Sequence, residues 1–448
     1  MDSRPDIAAN RLSSECLAIN FADAHPPLTR GQASIEADRC YFCYDAPCVE
    51  ACPTSIDIPG FIRGIATGNL AGAARTILAS NILGGSCARV CPTEILCEGA
   101  CVRTAQEEKP VVIGALQRHA TDWQMHAGTQ PFPRAAETGR RIAIVGAGPA
   151  GLACAHRLAM HGHTVTILDA RPRAGGLNEY GIAAYKLPDD FAQQEIDFIT
   201  AIGGITIETG RMLGRDVTLA DLEAAYDAVF LAIGQAGVRA LGIAGEDLEG
   251  VLNAVDFIAG LRASTTGADV PVGRRVVVIG GGNTAIDAAV QARRLGAEEV
   301  TLVYRRGAET MSATSVEQAW AQTNGVAIRT WAAPQRLDGT NGAVRSITFT
   351  RGRLLEGRPV HDQGTFTLEA DMVLKAVGQL FLPDPLDRGA LAIENGRITV
   401  DAQGRTTRRL VYAGGDCTPG DDLTVVAVRD GRNAAEAIHA DLTEATGA

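Results

Sequence analysis

The chain lacks a basic stripe, an unbroken apolar run of membrane length and a recognisable leader, and each absence removes a class of function. Acidic residues outnumber basic ones by 52 to 41, a formal net charge of −11, and the lysines and arginines are dispersed, so nucleic acid is not expected as a partner. The most apolar stretch, residues 142–168, is interrupted by His156, Arg157, His161 and His163, which argues against a membrane span. The opening residues MDSRPDIAANRLSSECLAINFADAH place acids early and lead into no long apolar core. Neither a signal nor a transit peptide is therefore expected, and the protein is expected in the cytoplasm, away from membranes.

What is present points to a globular chain of several domains. With 448 residues there is room for about three domains, and a 46% hydrophobic content is enough to bury their cores. The 50 glycines follow no period, which suits tight turns and close backbone approach to a nucleotide better than a fibrous or disordered chain.

Eight of the 11 cysteines fall between Cys40 and Cys101. The first group reads Cys40-x2-Cys43-x4-Cys48-x3-Cys52-Pro53, and the second reads Cys87-x3-Cys91-Pro92 followed by Cys97-x3-Cys101. Between them, IPGFIRGIATGNLAGAARTILAS repeats its apolar residues at helical spacing, so a mostly helical first domain is expected over residues 1–127. Disulfides would need a secretory setting that the sequence does not announce. Structural zinc fits the x3 and x4 spacings and the two Cys-Pro pairs less well than iron–sulfur clusters do. Cys154 and Cys417 read as small packing residues, and Cys16 carries no signal.

A proline- and glycine-bearing linker, HAGTQPFPRAAETG, leads into two strand–glycine turn–helix–strand units. In the first, Gly146-Ala147-Gly148-Pro149-Ala150-Gly151 is followed by Asp169 at the end of the next strand. The first glycine permits the turn, the second lets a pyrophosphate approach, the third lets helix and strand pack, and the acid suits a ribose. In the second, Gly280-Gly281-Gly282-Asn283-Thr284-Ala285 is followed by Arg305 and Arg306 in place of the acid. Arginine can pair with a ribose 2′-phosphate, so NADPH is expected ahead of NADH, with NADH left open. Near the end, Gly414-Gly415-Asp416 suits a second contact to FAD, and Thr424 and Val425 would start a helix whose positive end faces the flavin.

Taken together, GAGPAG, GGLNEYGIAAYKLP, GGGNTAID, VYRR, AGGD and the cysteine groups resemble the pyridine nucleotide-disulfide oxidoreductase-like flavoproteins that carry a helical N-terminal iron–sulfur domain. The glutamate synthase small subunit and the N-terminal half of dihydropyrimidine dehydrogenase belong there. The resemblance implies an α/β chain: two Rossmann-like dinucleotide-binding domains preceded by the helical iron–sulfur domain. FAD would be bound by residues 138–250 and 381–448, and NAD(P) by residues 251–380. CYDAPCVEACP and the glutamine of IGALQR favour the dihydropyrimidine dehydrogenase branch, in its stand-alone bacterial NAD(P)H-oxidising form.

That resemblance assigns one 4Fe-4S cluster to Cys40, Cys43, Cys48 and Cys101, and a second to Cys52, Cys91, Cys97 and Gln117, leaving Cys87 unligated. It adds Leu177 and Lys186 as flavin contacts, although Lys186 stands where relatives often have arginine. A third basic contact for a 2′-phosphate is not evident in GAETMSAT. The implied role is hydride transfer from NAD(P)H to FAD and then electron delivery through two clusters, with no acid–base residue required. The chain has no room for an FMN barrel, so the implied partner is an FMN/iron–sulfur subunit reducing uracil and thymine, in a hetero-oligomer. Feeding a glutamate synthase large subunit is the alternative. A scaffold with structural cofactors is the remaining one, and it should not bleach its flavin with NAD(P)H.

Overall fold

The computed structural model describes residues 6–355, 357–383, 386 and 391–444. Its contacts divide the chain into two compact units, one built from the segment ending at Ala24 with Tyr180–Pro188 and Val238–Leu380, the other from His25–Glu179, Asp189–Gly237 and the chain from Phe381 on.

The second of these units joins a helical part to a parallel sheet. Helices Ile58–Ala66, Leu70–Ser80 and Ile113–Ala127 bury Phe61, Ile62, Ile77, Ile113 and Leu116 in a core of their own. Asp57 and Asn69 cap the first two by accepting backbone N–H groups of Gly60 and Gly72, which satisfies donors that a helix start leaves free. The sheet places Arg141–Val145 at its centre, with Ala228–Leu231 and then Val411–Ala413 on one side and Thr164–Asp169 and then Ile205–Thr209 on the other, all parallel. Its central strands are nearly continuous β-branched and apolar runs, as a sheet covered on both faces requires. Helix Pro149–Met160 and the 21-residue helix Thr424–Glu444 pack together against it.

The other unit carries a second five-stranded parallel sheet, in the order Val326–Arg329, Glu299–Val303, Arg275–Gly280, Met372–Ala376, Val251–Asn253. Helix Asn283–Arg294 lies against it. A three-stranded antiparallel sheet, Ala332–Thr340, Ala343–Arg351 and Thr365–Glu369, is inserted before the strand Met372–Ala376. Ile7 and Ala8 pair with Gly273 and Val272, which ties the start of the chain to this unit. No described helix is long and apolar enough to cross a membrane.

Candidate cofactor-binding sites and cysteine pockets

Both glycine motifs occupy the turn between a central strand and its helix. Gly146 has φ +105°, and a Cβ there would meet the Ala232 carbonyl oxygen at 2.2 Å; a Cβ on Gly151 would meet the Gly146 carbonyl at 2.0 Å. Both positions therefore demand glycine for the turn and for strand–helix packing. Gly148 differs, since a Cβ would find only the Gly176 Cα, at 3.7 Å. No steric clash closes this side of the helix N-terminus, which an approaching pyrophosphate needs. Pro149 is the first helical residue, where its missing N–H costs nothing, and Ala150 is buried under it.

Asp169 braces the same loop. One carboxylate oxygen accepts the Ala147 N–H at 2.7 Å and the other accepts the Arg171 N–H at 2.8 Å. A carboxylate has about four acceptor sites, so it keeps capacity for ribose hydroxyls while fixing the glycine turn.

The second motif repeats this arrangement. A Cβ on Gly280 would meet the Ala376 carbonyl at 2.2 Å, and one on Gly281 the Tyr304 ring at 2.5 Å, while Gly282 caps the helix that begins at Asn283. Asn283 Oδ1 is buried without a hydrogen-bond partner, and Thr284 follows it in the first turn. A buried orphan acceptor at a helix start is what a bound ligand with a donor group would satisfy. Arg305 and Arg306 are exposed beyond the neighbouring strand; the Arg306 guanidinium donates to the Tyr304 hydroxyl at 3.1 Å.

The later elements converge on the first motif's unit. A Cβ on Gly415 would touch Ala150 at 3.0 Å, so the Gly414-Gly415-Asp416 turn lies beside the first helix's start. Burial pushes the Asp416 carboxyl up to about 6; nearby Asp422 and Asp430 add to this and Arg397 opposes it. The Thr424 hydroxyl donates to Asn178 Oδ1 at 3.0 Å, while Asn178 Nδ2 is buried without a partner. Leu177 is exposed beside Asn178, and Val425 is buried. Lys186 belongs to the other compact unit. Its buried Nζ lies between Asp287, at 2.9 Å, and Glu317, at 2.6 Å, in the unit that holds the second motif.

The cysteines form two sets. Cys40, Cys43, Cys48 and Cys101 line one pocket together with Tyr41, Ile58, Ile62 and Val111. Burial pushes the Cys48 thiol up to about 12, with Cys101, Cys40 and Cys43 contributing, and it also raises Cys40. In the second set, a hydrogen bond with Cys87, then burial, then the proximity of Cys87, Cys97 and Cys52 hold Cys91 well above the usual thiol range. Burial likewise raises Cys97, with Glu98 and Cys52 contributing. Among the described residues no three His, Cys, Asp or Glu side chains close on a single ion; the thiols of the first set are arrayed around a pocket instead. Burial is the main reason that Cys40, Cys48 and Cys97 resist ionisation, and for Cys91 the hydrogen bond with Cys87 comes first; neighbouring thiols add to it, and positive iron placed among them would favour the thiolates. The donor set therefore fits a cluster.

Gln117 is buried, and its Nε2 donates to the Gly84 carbonyl at 2.7 Å. Gly84 begins the helix Gly84–Val90 that carries Cys87. Cys87 in turn is buried against Val425 and Val426, with Cys91 at the edge of that contact, so the second cysteine set meets the start of the helix Thr424–Glu444. A further brace comes from Glu195, which accepts the Ser86 N–H at 3.0 Å and also the Ser86 hydroxyl. Burial lifts its carboxyl to about 7 against the opposing pull of those bonds. Nothing in the motifs pointed to Glu195, which stands 109 residues from Ser86.

Two family profiles match this arrangement. Residues 140–431 match the pyridine nucleotide-disulphide oxidoreductases, and residues 17–129 match the 4Fe-4S domain II of dihydropyrimidine dehydrogenase. The chain belongs to the pyridine nucleotide-disulphide oxidoreductase family, as a flavin oxidoreductase of the FAD and NAD(P) type with an N-terminal 4Fe-4S domain. It is 37% identical over 415 residues to the NAD-dependent dihydropyrimidine dehydrogenase subunit PreT of Escherichia coli O157:H7, covering 92% of this chain and 95% of that one. It is 34% identical to the glutamate synthase [NADPH] small chain of Escherichia coli K12, covering 94% and 93%. Among solved structures, Mycobacterium tuberculosis FprA in complex with NADPH shares the fold at a TM-score of 0.58 and 21% identity, covering 69% of this chain and 86% of that one. The expected fold class, α/β with a helical iron–sulfur domain ahead of Rossmann-like dinucleotide-binding domains, is borne out.

Proposed function

We propose that the chain oxidises NAD(P)H and passes the electrons to a separate FMN/iron–sulfur subunit that reduces uracil and thymine to their 5,6-dihydro forms. When bound, FAD would accept a hydride and two 4Fe-4S clusters would relay single electrons. The observation that carries this reading is the cluster in which Cys91 packs against Cys87, Val425 and Val426, because it brings a proposed ligand of the second cluster to the helix start that a flavin would use.

The chain's own residues then have separate tasks. Gly146, Gly148 and Gly151 open the turn to the FAD pyrophosphate, Asp169 holds that turn and meets the ribose, and Leu177, Asp416, Thr424 and Val425 complete the flavin surroundings. Gly280, Gly281, Gly282, Asn283 and Thr284 receive the nicotinamide dinucleotide. Cys40, Cys43, Cys48 and Cys101 hold one cluster, and Cys52, Cys91, Cys97 and Gln117 the other. Arg305 and Arg306 support NADPH, while the name of the relative at 37% identity specifies NAD. The proposed site of action is the cytoplasm, within a hetero-oligomer.

The test is affinity isolation from the native cell, followed by assay of the recovered complex. NAD(P)H-dependent uracil reduction with a copurified FMN subunit is the expected result. A copurified large amidotransferase that forms glutamate would replace this reading with the glutamate synthase one.

A further inference from the structure

Among the described residues, the well-exposed aromatic side chains are Tyr41, Tyr44 and Trp123, all in the iron–sulfur domain. Tyr44 is fully exposed and sits in the short loop between Cys43 and Cys48, while Tyr41 lines the pocket formed by those cysteines. Val112, also exposed, donates its N–H to Glu36 at 2.9 Å, and Glu36 pairs with Arg39 at 2.6 Å. Arg39 donates to the carbonyls of Pro110 and Lys109 at 2.8 and 2.7 Å. These bonds make residues 36–44 and 107–112 one continuous surface around the first cysteine set.

The charges of this surface are unevenly used. Arg103 lies 3.9 Å over the Tyr41 ring and pairs with Glu107, so both guanidinium groups are engaged within the face. Asp38 and Glu108 stand exposed on these segments and Asp45 and Glu50 just beyond them, against one exposed cation, Lys109, so the rim is net acidic. Exposed aromatic anchors mark interaction sites, and an acidic rim selects a basic partner. A second copy of this chain would bring the same acids against these, which is repulsive.

We propose that the Tyr41–Tyr44 face is the docking site for an electron-accepting protein whose own redox centre lies beneath an apolar patch rimmed by Lys and Arg. The inference rests on the proposed exit of electrons through the cysteine pockets. Each NAD(P)H oxidised releases two electrons and one proton, so two one-electron acceptors are reduced in succession while NAD(P)⁺ is released.

The test uses holoenzyme with saturating NAD(P)H and the basic haem protein ferricytochrome c as probe, with ferricyanide as a small-molecule control. Tyr44→Ala and the double charge reversal Asp45→Lys/Glu50→Lys are compared with Leu354→Ser, which alters an exposed residue of the other unit. Both face variants should lose roughly tenfold in kcat/KM for cytochrome c, about 1.4 kcal/mol. The charge reversal should also flatten the dependence on salt. Ferricyanide reduction, cluster EPR signals and the Leu354→Ser variant should match wild type. Cytochrome c reduction within twofold of wild type in both variants, with clusters intact, overturns the docking face. So does a Tyr44→Ala variant that only converts a dimer to a monomer, which would assign the face to a second copy. Clusters that stay oxidised in wild-type protein under NAD(P)H would instead overturn the proposed function, and this face with it.

Discussion

The Lys186 ammonium is buried within 2.9 Å of Asp287 and 2.6 Å of Glu317. Burial works to lower its pKa, but the two carboxylates prevail and hold it above the usual lysine range. The same Asp287 accepts the Ala183 N–H at 3.2 Å and Gln291 accepts the Ala184 N–H at 3.1 Å, so the segment Tyr180–Pro188 is fastened to the helix Asn283–Arg294 by side chains and backbone together. Replacing Lys186 by Met should leave the buried Asp287 and the partly buried Glu317 without a counter-charge and cost about 3 kcal/mol. Chemical denaturation read by circular dichroism measures this; a loss below about 1 kcal/mol would show that the ion pairs are not holding the segment.

Cysteine content should track cluster content set by set. Cys43→Ser should remove about half of the bound iron and sulfide and leave the second set's EPR signal unchanged. Gln117→Ala should alter the second signal or its potential. If Gln117→Ala is silent while Cys87→Ser removes that signal, the fourth ligand is Cys87, which already hydrogen bonds with Cys91.

Dinucleotide preference should follow Arg305 and Arg306. The double alanine variant should raise KM for NADPH roughly tenfold, about 1.4 kcal/mol, and leave NADH nearly unaffected, because only the 2′-phosphate is recognised there. An equal effect on both donors would remove these residues from 2′-phosphate recognition.

Acid should weaken the fold through His156. This side chain is buried edge-on to Phe132 with Nε2 unpartnered, and burial, with Arg157 adding, lowers its pKa to about 3. The unfolded chain takes up the proton near pH 6.5 and the folded chain does not, so this stability is complete above that pH. It is lost as pH falls toward 3. By pH 5 the loss is about 2 kcal/mol. His156→Leu should therefore be less acid-sensitive than wild type by that amount between pH 7.5 and 5 in urea titrations. Equal pH dependence in the two proteins would contradict the assignment.

The glycine motifs were legible in the sequence because sterics admit no alternative: the 2.2 Å clashes at Gly146 and Gly280 leave glycine as the only residue for those turns. The AGGD turn was legible as a motif, but the pairing of Val411–Ala413 with Ala228–Leu231 was not, because the turn does not say which strand its own strand lies beside. The polar braces were not legible. Lys186 meets Glu317 across 131 residues, and Glu195 meets Ser86 across 109, and neither pair belongs to a local pattern. The two-residue pairing of Ile7 and Ala8 with Val272 and Gly273 is likewise too short to show hydrophobic alternation. Asp169 showed its position but not its work, since the hydrogen bond to Ala147 depends on the loop's folded geometry.

The most direct test of the central claim is an anaerobic titration of the holoenzyme with NAD(P)H, followed by flavin absorbance and low-temperature EPR. The expected result is bleaching of the flavin followed by signals from two reduced clusters, both lost on adding an oxidised acceptor. A flavin that bleaches while both clusters stay oxidised, with no effect of Cys43→Ser or Cys91→Ser on acceptor reduction, would contradict electron delivery through the cysteine sets.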